Sequence, residues 1–172
     1  MDVAIVNHLF LTQRFLVKGN VRTGDLRLSS FLNSVRRPWL AVEDATVLEL
    51  GRPDRSTTKQ YALRLSDVVL AHEYLDLSGD PLRKSLAQSE RDDFSSFSIH
   101  FRAPCRLEMV GRIRKEALES GQGDEFFVAL DPLLRGFEEK EDEQLPAEVK
   151  SLKSLNYAIL NRAQVHAFFP YE

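Results

Sequence analysis

Three basic residues near the N-terminus have a spacing that suits anion binding. Arg14, Lys18 and Arg22 lie four residues apart. Because alternate side chains of a strand share a face, a continuous strand would place all three on one basic ridge. Such a ridge could bind nucleic-acid phosphates, or it could be the solvated charge that protects an edge strand from aggregation. We favour the second interpretation, because Phe15 and Phe31 nearby are expected in the core and not as base-stacking platforms.

Metal and phosphate chemistry have no matching motif in this sequence. The four histidines form no HxH, HxxxH or HExxH spacing; they are His8, His72, His100 and His166. A metal site needs several ligands that converge at about 2 Å, and this spacing gives no sign of one. Gly121 and Gly123 have the first glycine spacing of a dinucleotide-binding motif, but no helical pattern follows them. We therefore interpret them as a turn. We therefore expect no metal and no cofactor.

Nucleophilic and acid-base catalysis also have no supporting pattern. The only cysteine, Cys105, follows Pro104 in an apparent strand and is interpreted as a small buried apolar side chain. No GxSxG elbow is present. Glu43 and Asp44 adjoin on a predicted strand, so they would point to opposite faces and could not share a proton. We expect Asp44 and the similarly placed Asp131 to end or bend a strand. The sequence therefore predicts a protein that is not an enzyme.

Large apolar side chains are concentrated at the C-terminus. Phe168, Phe169 and Tyr171 lie within four residues of one another. In an extended segment, neighbouring side chains point to opposite faces, so one of them could remain exposed as an anchor for a partner. These residues are the candidate interaction surface, although folding alone could equally require them.

Composition limits the class of protein. The chain has 172 residues, of which 43% are apolar, and its 23 basic and 26 acidic residues give a net charge of −3. These values are typical of a soluble globular protein and exclude a disordered chain, a collagen, a coiled coil and a disulfide scaffold. No run of eighteen apolar residues occurs, so no membrane-spanning helix is expected. One cysteine favours a reducing, cytoplasmic location.

A weak internal duplication organises the chain. A shift of 87 residues aligns residues 24–27 with 111–114 and residues 39–44 with 126–131, and a shift of 96 aligns residues 61–63 with 157–159 and 69–71 with 165–167. The acidic run at residues 138–143 accounts for the difference and is expected to be a solvated loop. Two unrelated β-rich halves are the alternative interpretation.

The predicted elements describe two similar β-units. In the first half, strands are predicted at residues 12–21, 39–50, 59–65 and 68–74, with a short helix whose stripe is Leu28, Phe31 and Leu32. In the second half, strands are predicted at residues 97–110, 125–134, 156–160 and 163–169, with a helical piece at residues 113–118. The fold class is α+β, mainly β: two pseudo-repeated antiparallel units, each a small barrel or sandwich with one short helix after its first strand. Their predicted bounds are residues 1–78 and 96–172, with a polar linker at residues 79–95, packed together as one globular body.

Two stretches of the first half carry a family resemblance. Residues 27–33 read RLSSFLN and residues 39–47 read WLAVEDATV. They resemble small uncharacterised bacterial β-domains with an RLSDFLN-like helix and an FLxLxDAxV-like strand, although Ser30 replaces the aspartate. The resemblance covers residues 15–74 and implies a build and a bacterial origin, with no activity attached. The last two strands of each half are also similar to those of Sm-like small barrels, which can bind RNA.

Two functions follow from these patterns. The first is a non-enzymatic interaction module that acts through β-edge or apolar surface contacts with a protein partner or with its own copy. The alternative is a small-barrel nucleic-acid or nucleotide-binding protein that uses the basic ridge. An acidic pI of about 5.9 gives no long-range attraction to nucleic acids or anionic lipids, so we favour the interaction module and expect no membrane partner.

Overall fold

A computed structural model describes residues 7–52, 54–74, 94–103, 105, 107–119, 124–136 and 146–171. The protein is mainly β, as predicted, with ten antiparallel strands in one sheet. The strands are β1 (Asn7–Thr12), β2 (Phe15–Asn20), β3 (Trp39–Glu49), β4 (Arg55–Arg64), β5 (Val68–Tyr74), β6 (Phe94–Phe101), β7 (Glu108–Arg114), β8 (Phe126–Arg135), β9 (Tyr157–Asn161) and β10 (Val165–Pro170). The two α-helices of the described residues are α1 (Leu28–Ser34) and α2 (Ala147–Ser151).

The strand order is the same in both halves of the chain. The sheet runs β10-β6-β7-β8-β9-β5-β1-β2-β3-β4. Each group of five consecutive strands therefore stands in the order fifth, first, second, third, fourth. The pair β9 and β5 joins the two groups, and β10 and β4 lie at the ends of the sheet. An internal duplication, like a small barrel or sandwich, stays a prediction.

Cross-strand partners give the residue equivalence between the halves. Leu40 lies opposite Leu63 in the β3–β4 pair, and Phe127 lies opposite Leu160 in the β8–β9 pair. The offset of 87 residues therefore holds for β3 and β8, but β4 and β9 differ by 97 residues. The predicted offset of 96 is wrong by one residue. That error matters because a slip of one residue moves every side chain of a strand to the other face.

Asp44 and Asp131 occupy equivalent bulges. Their φ angles are 47° and 49°, a left-handed conformation that is uncommon for residues other than glycine. The register shifts opposite each of them, between Lys18 and Asn20 in β2 and between Val110 and Arg112 in β7. Both aspartates thus bend a strand where an extra residue interrupts the pairing, as expected from their repeated position.

Two predicted strands are each a pair of strands. Residues 12–21 contain a tight turn, with β1 ending at Thr12 and β2 beginning at Phe15. The Thr12 hydroxyl accepts a hydrogen bond from the Phe15 amide at 2.8 Å and so closes this turn. Residues 97–110 likewise contain the end of β6 and the beginning of β7. The described part of each half therefore contains five strands, one more than the predicted unit.

The helices differ from their predicted places. The stripe of α1 is confirmed, with Leu28 and Leu32 buried, but this helix follows the second strand and not the first. In the second half, β7 continues to Arg114 and a single 3₁₀ turn, Lys115–Ala117, follows. The helix α2, which no pattern predicted, lies between β8 and β9.

Three predicted connections fall on residues that the structure does not describe. They are the acidic run at residues 138–143, the turn at Gly121 and Gly123, and most of the linker at residues 79–95. The predicted linker ends too late in the chain, because β6 already begins at Phe94.

Two buried apolar clusters hold the sheet together. Leu9 of β1 packs in one cluster with Met109 of β7, and the adjacent Phe10 packs in the other with Tyr157 of β9. Neighbouring residues enter different clusters because strand side chains alternate between faces. Both clusters therefore contain residues from each half of the chain. In the described part of the chain, the helices are all too short or too polar to cross a bilayer.

Candidate interaction surface

The two ends of the sheet expose large apolar side chains. Among the described residues, β4 pairs only with β3, and β10 pairs only with β6. Trp39, beside β4, is 54% exposed, and Phe169 and Tyr171, in and just after β10, are 53% and 48% exposed. Unpaired edges with exposed aromatic side chains are typical of sites for strand addition.

Only some residues of the predicted C-terminal surface are exposed at the β10 edge. Phe168 is half-buried, with its ring centroid 6.0 Å from that of Phe127, so it contributes to the core. Phe169, the next residue of the strand, points to the opposite face and packs edge-on against His100, with ring centroids 5.2 Å apart. The Tyr171 amide donates to the Ser96 carbonyl, which fixes the chain just beyond β10. Phe169 and Tyr171 are therefore the exposed members of the predicted set.

An open groove lies between the end of β4 and the β1–β2 turn. Its volume is about 390 Å³, and Trp39, Tyr61 and Phe15 supply its aromatic lining. The guanidinium of Arg64 lies over Trp39, 5.9 Å from the ring centroid, and that of Arg14 lies over Phe15 at 5.2 Å. Both cations already stack on aromatic rings of the protein, which holds these flat surfaces in place.

The joint between β9 and β5 shows how two edges of this sheet pair. Leu160 lies opposite Leu70, and Ile159 lies opposite Ala71. The Tyr157 hydroxyl donates to the Glu73 carbonyl at 3.0 Å, which adds a side-chain hydrogen bond beyond the short ladder. We call this pairing, with its side-chain contacts, the internal joint.

Amide side chains extend the internal joint. Asn33 of α1 donates to the Phe126 carbonyl and accepts from the Phe126 amide, both at 2.9 Å. The Gln13 side chain donates to Gln164 Oε1 at 3.0 Å, and Gln164 donates in turn to the Ser66 carbonyl at 2.6 Å. These hydrogen bonds join the two halves beside the strand pairing and favour one register.

The predicted basic ridge is not continuous. Arg14 lies in the β1–β2 turn and Arg22 lies beyond the end of β2, so only Lys18 belongs to the strand. Arg14 forms an ion pair with Glu49 at 2.9 Å, and Arg22 forms one with Glu43 at 2.8 Å. Lys18 Nζ lies 5.5 Å from the centroid of the Tyr74 ring. Each of these cations thus has a protein partner.

A buried charged cluster lies at the beginning of α1. Glu73 of β5 accepts from the Leu28 amide at 3.1 Å, and its other carboxylate oxygen lies 3.2 Å from Arg27 Nε. His8 Nδ1 accepts from the Val21 amide at 3.1 Å, which places the proton of the neutral ring on Nε2, 3.9 Å from Glu73. Glu73 therefore caps α1 from a distant strand and balances the charge of Arg27. Sequence patterns gave no signal for this cluster.

The imidazole of His8 makes stability depend on pH. Burial lowers the pKa of His8 from 6.5 to about 4. Between these values the unfolded chain binds a proton that the folded protein does not, so the free energy of unfolding falls as the pH falls. We expect a loss of about 2 kcal/mol between pH 7 and pH 5. Urea unfolding at both pH values measures it.

The control for this effect is His8→Asn, whose side-chain oxygen can still accept from the Val21 amide. This variant does not titrate, so it should lose that part of the pH dependence. An equal pH dependence in both proteins would show that His8 is not responsible.

The lone cysteine and the possible metal ligands are the remaining candidate groups. Burial raises the pKa of the Cys105 thiol, which keeps it protonated and unreactive near neutral pH. No three His, Cys, Asp or Glu side chains in the described ranges lie close enough together to hold a metal ion. Comparisons with protein families, curated proteins and solved structures find no match to this chain.

Proposed function

We propose that this protein is a non-enzymatic interaction module that binds a partner by adding a strand to a free edge of its sheet. The observation that carries the proposal is that β4 and β10 each pair on one side only among the described residues, and that exposed aromatic side chains border both of them. Backbone groups of an edge supply hydrogen bonds for an incoming strand, and adjacent apolar side chains supply affinity. Such a module would act through binding alone.

The β4 edge suits this role best. Its outer half, from Arg55 to Gln60, is exposed throughout, and Trp39 and Tyr61 flank its end. Of the usual protective devices, the strand carries Lys59 and two arginines but no proline, so every residue keeps its backbone amide. No proline therefore blocks the pairing of a partner strand with β4.

Nucleic-acid binding is the less favoured alternative. Arg14 and Arg22 would have to leave Glu49 and Glu43 before they could bind phosphates. Since the net charge is −3, the protein as a whole would not attract a polyanion. Retention on heparin that is salt-dependent, and lost on substitution of Arg14, Lys18 and Arg22, would support this alternative instead.

A display experiment tests the proposed function. Immobilised protein is used to select ten-residue peptides from a random library, and binding of the selected peptides is measured by fluorescence anisotropy. We expect peptides with alternating apolar residues, which a paired strand presents to one face. Binding should weaken at least about tenfold in Ala62→Lys at β4 or in Phe169→Lys at β10, because a buried charge opposes pairing.

Leu133→Lys is the matched control. Leu133 is also exposed, but it lies in β8, opposite Val110 of β7, and in neither of the two end strands. This variant should bind the selected peptides as the original protein does. Peptides that bind all four proteins equally, or no selection of alternating sequences, would contradict strand addition at these edges.

A further inference from the structure

We propose that the partner is a second copy of this chain, with β10 of one molecule paired to β4 of the next in the register of the internal joint. This inference rests on the proposed function and specifies the occupant of both edges. The reason is that β4 and β10 are the counterparts of β9 and β5, which already pair within one molecule. Two free edges of the same sheet are thus complementary to each other.

The register of the pairing follows from the observed equivalence. Leu63 of β4 is the counterpart of Leu160, because both lie opposite equivalent residues of β3 and β8. Val68 and Val165 begin β5 and β10 at equivalent pairs, with Thr12 and with Phe101. Both strands therefore carry the same offset of 97 residues. In each ladder pair of the internal joint, 97 is added to the number of the β5 residue and subtracted from that of the β9 residue. The two pairs then become Ala167–Leu63 and Phe168–Ala62.

Exposed aromatic side chains have a buried counterpart at the internal joint. Trp39 lies opposite Arg64, and Phe126 lies opposite Asn161, so Trp39 and Phe126 are equivalent. Phe126 is only 2% exposed, whereas Trp39 is 54% exposed. At the internal joint, Asn33 of the other half also bonds the Phe126 amide and carbonyl. A second molecule paired along β4 would cover Trp39, and its burial would stabilise the pair.

Charges at the two ends are complementary. At the internal joint, Gln13 and Gln164 form an amide pair. The counterpart of Gln13, which follows β1, is Arg102, which follows β6, and the counterpart of Gln164 is Asp67. Both are exposed. Head-to-tail pairing would thus replace an amide hydrogen bond with an ion pair between Arg102 of one molecule and Asp67 of the next.

Side-chain donors of the internal joint differ in their counterparts. His72, which donates to the Tyr157 carbonyl at 3.0 Å, corresponds to Phe169, which cannot donate. Tyr157, whose hydroxyl donates to the Glu73 carbonyl, corresponds to Gln60, which can donate to the Pro170 carbonyl of a second molecule. Pro170 has no amide hydrogen, but its counterpart Glu73 lies beyond the two ladder pairs. The proline therefore lies outside the two ladder pairs of the transferred register.

The assembly would be directional. The two surfaces differ, so the contact is heterologous, and repeated addition produces a closed ring or an open chain and not a symmetric dimer. Because every molecule contributes two groups of five strands, a closed ring contains an even number of them. All sheet edges would then be paired, which removes the aggregation hazard of exposed edges.

Charge reversal combined with sedimentation tests the contact. We expect the purified protein to form concentration-dependent assemblies in analytical ultracentrifugation. Asp67→Arg and Arg102→Asp should each weaken assembly at least about tenfold, because like charges would face each other. In a mixture of the two single variants, molecules that alternate carry opposite charges at both kinds of interface, and the double variant Asp67→Arg/Arg102→Asp carries them at every interface. The mixture and the double variant should therefore both recover assembly, whereas each single variant alone should not.

Disulfide trapping tests the register. In a Cys105→Ala background, Ala62→Cys and Phe168→Cys are made as separate proteins, and circular dichroism confirms that each is folded. Mixed under mild oxidation, they should form a cross-linked species of twice the mass, whereas each alone should not. Ala62→Cys mixed with Ala167→Cys, one residue out of register, should cross-link much less.

The outcomes separate this inference from the proposed function. Specific complexes usually have dissociation constants well below about 100 µM. A protein that remains monomeric up to that concentration would therefore overturn the self-association. If peptides still bind the edges in that case, the interaction module stands and its partner is another protein. Assembly that is insensitive to both charge reversals, or cross-linking without regard to register, would overturn the proposed interface even if the protein is oligomeric.

Discussion

Glu73→Ala should lower the free energy of unfolding by about 3–5 kcal/mol, the range for breaking a buried ion pair. The Glu73 side chain is 5% exposed, and it receives the Leu28 amide and the charge of Arg27. Removing the carboxylate leaves the guanidinium of Arg27 partly buried with less compensation, and it uncaps α1. Urea unfolding at pH 7, followed by the fluorescence of Trp39, measures the loss.

Glu43→Ala is the matched control for this prediction. Glu43 also pairs with an arginine, Arg22, at 2.8 Å, but the side chain of Arg22 is largely exposed. We expect its removal to cost no more than about 1 kcal/mol, as for other surface ion pairs. Glu73→Gln, which can still accept from the Leu28 amide, should fall between the two. Equal losses in Glu43→Ala and Glu73→Ala would show that burial does not strengthen this cluster.

Gly19→Ala should destabilise the protein by about 1–3 kcal/mol through overpacking. A Cβ atom at Gly19 would lie 2.7 Å from the Glu43 carbonyl oxygen and 2.7 Å from Val42 Cγ1. The carbonyl belongs to the backbone beside Asp44, whose left-handed conformation already interrupts the pairing, so the bulge has little room to move. Thermal unfolding should show the loss directly.

Gly111→Ala provides the comparison within the same molecule. Gly111 lies opposite the equivalent bulge at Asp131, but a Cβ atom there would lie 3.4 Å from Met109 Cε and 3.5 Å from Ala129 Cβ. These are ordinary or nearly ordinary contacts, and the methionine end is flexible. The second substitution should therefore be close to neutral. If it destabilised the protein as much as Gly19→Ala, close approach would not be the cause.

Local patterns predicted the fold class and most strands. The strand at residues 68–74 is confirmed with the same bounds, and the stripe of α1 is confirmed by the burial of Leu28 and Leu32. The β1–β2 turn was missed because Gln13 and Arg14 carry no glycine, proline or asparagine signal. Here the Thr12 hydroxyl closes the turn by hydrogen bonds to the Phe15 backbone, in place of the usual turn residues.

The candidate surface was predicted only in part. Phe168, Phe169 and Tyr171 stood out as a cluster of apolar residues, but which of them is exposed depends on the register of β10 with β6. Trp39 fits the pattern of an apolar strand residue. Its exposure could not be predicted from that pattern, because it results from the position of Trp39 beside the end of the sheet. The Glu73 cluster joins residues 8, 27, 28 and 73, and no periodicity relates positions that meet only through the order of the strands.

The two apolar clusters make the stability of each half depend on the other half. Leu9 and Phe10 each pack with residues from beyond the chain midpoint, so neither half contains a complete interior of its own. The halves should therefore melt as one cooperative body, and a destabilising substitution in either should be felt equally in both. Selection on such a chain acts on the whole sheet, which restricts how far its two halves can diverge independently.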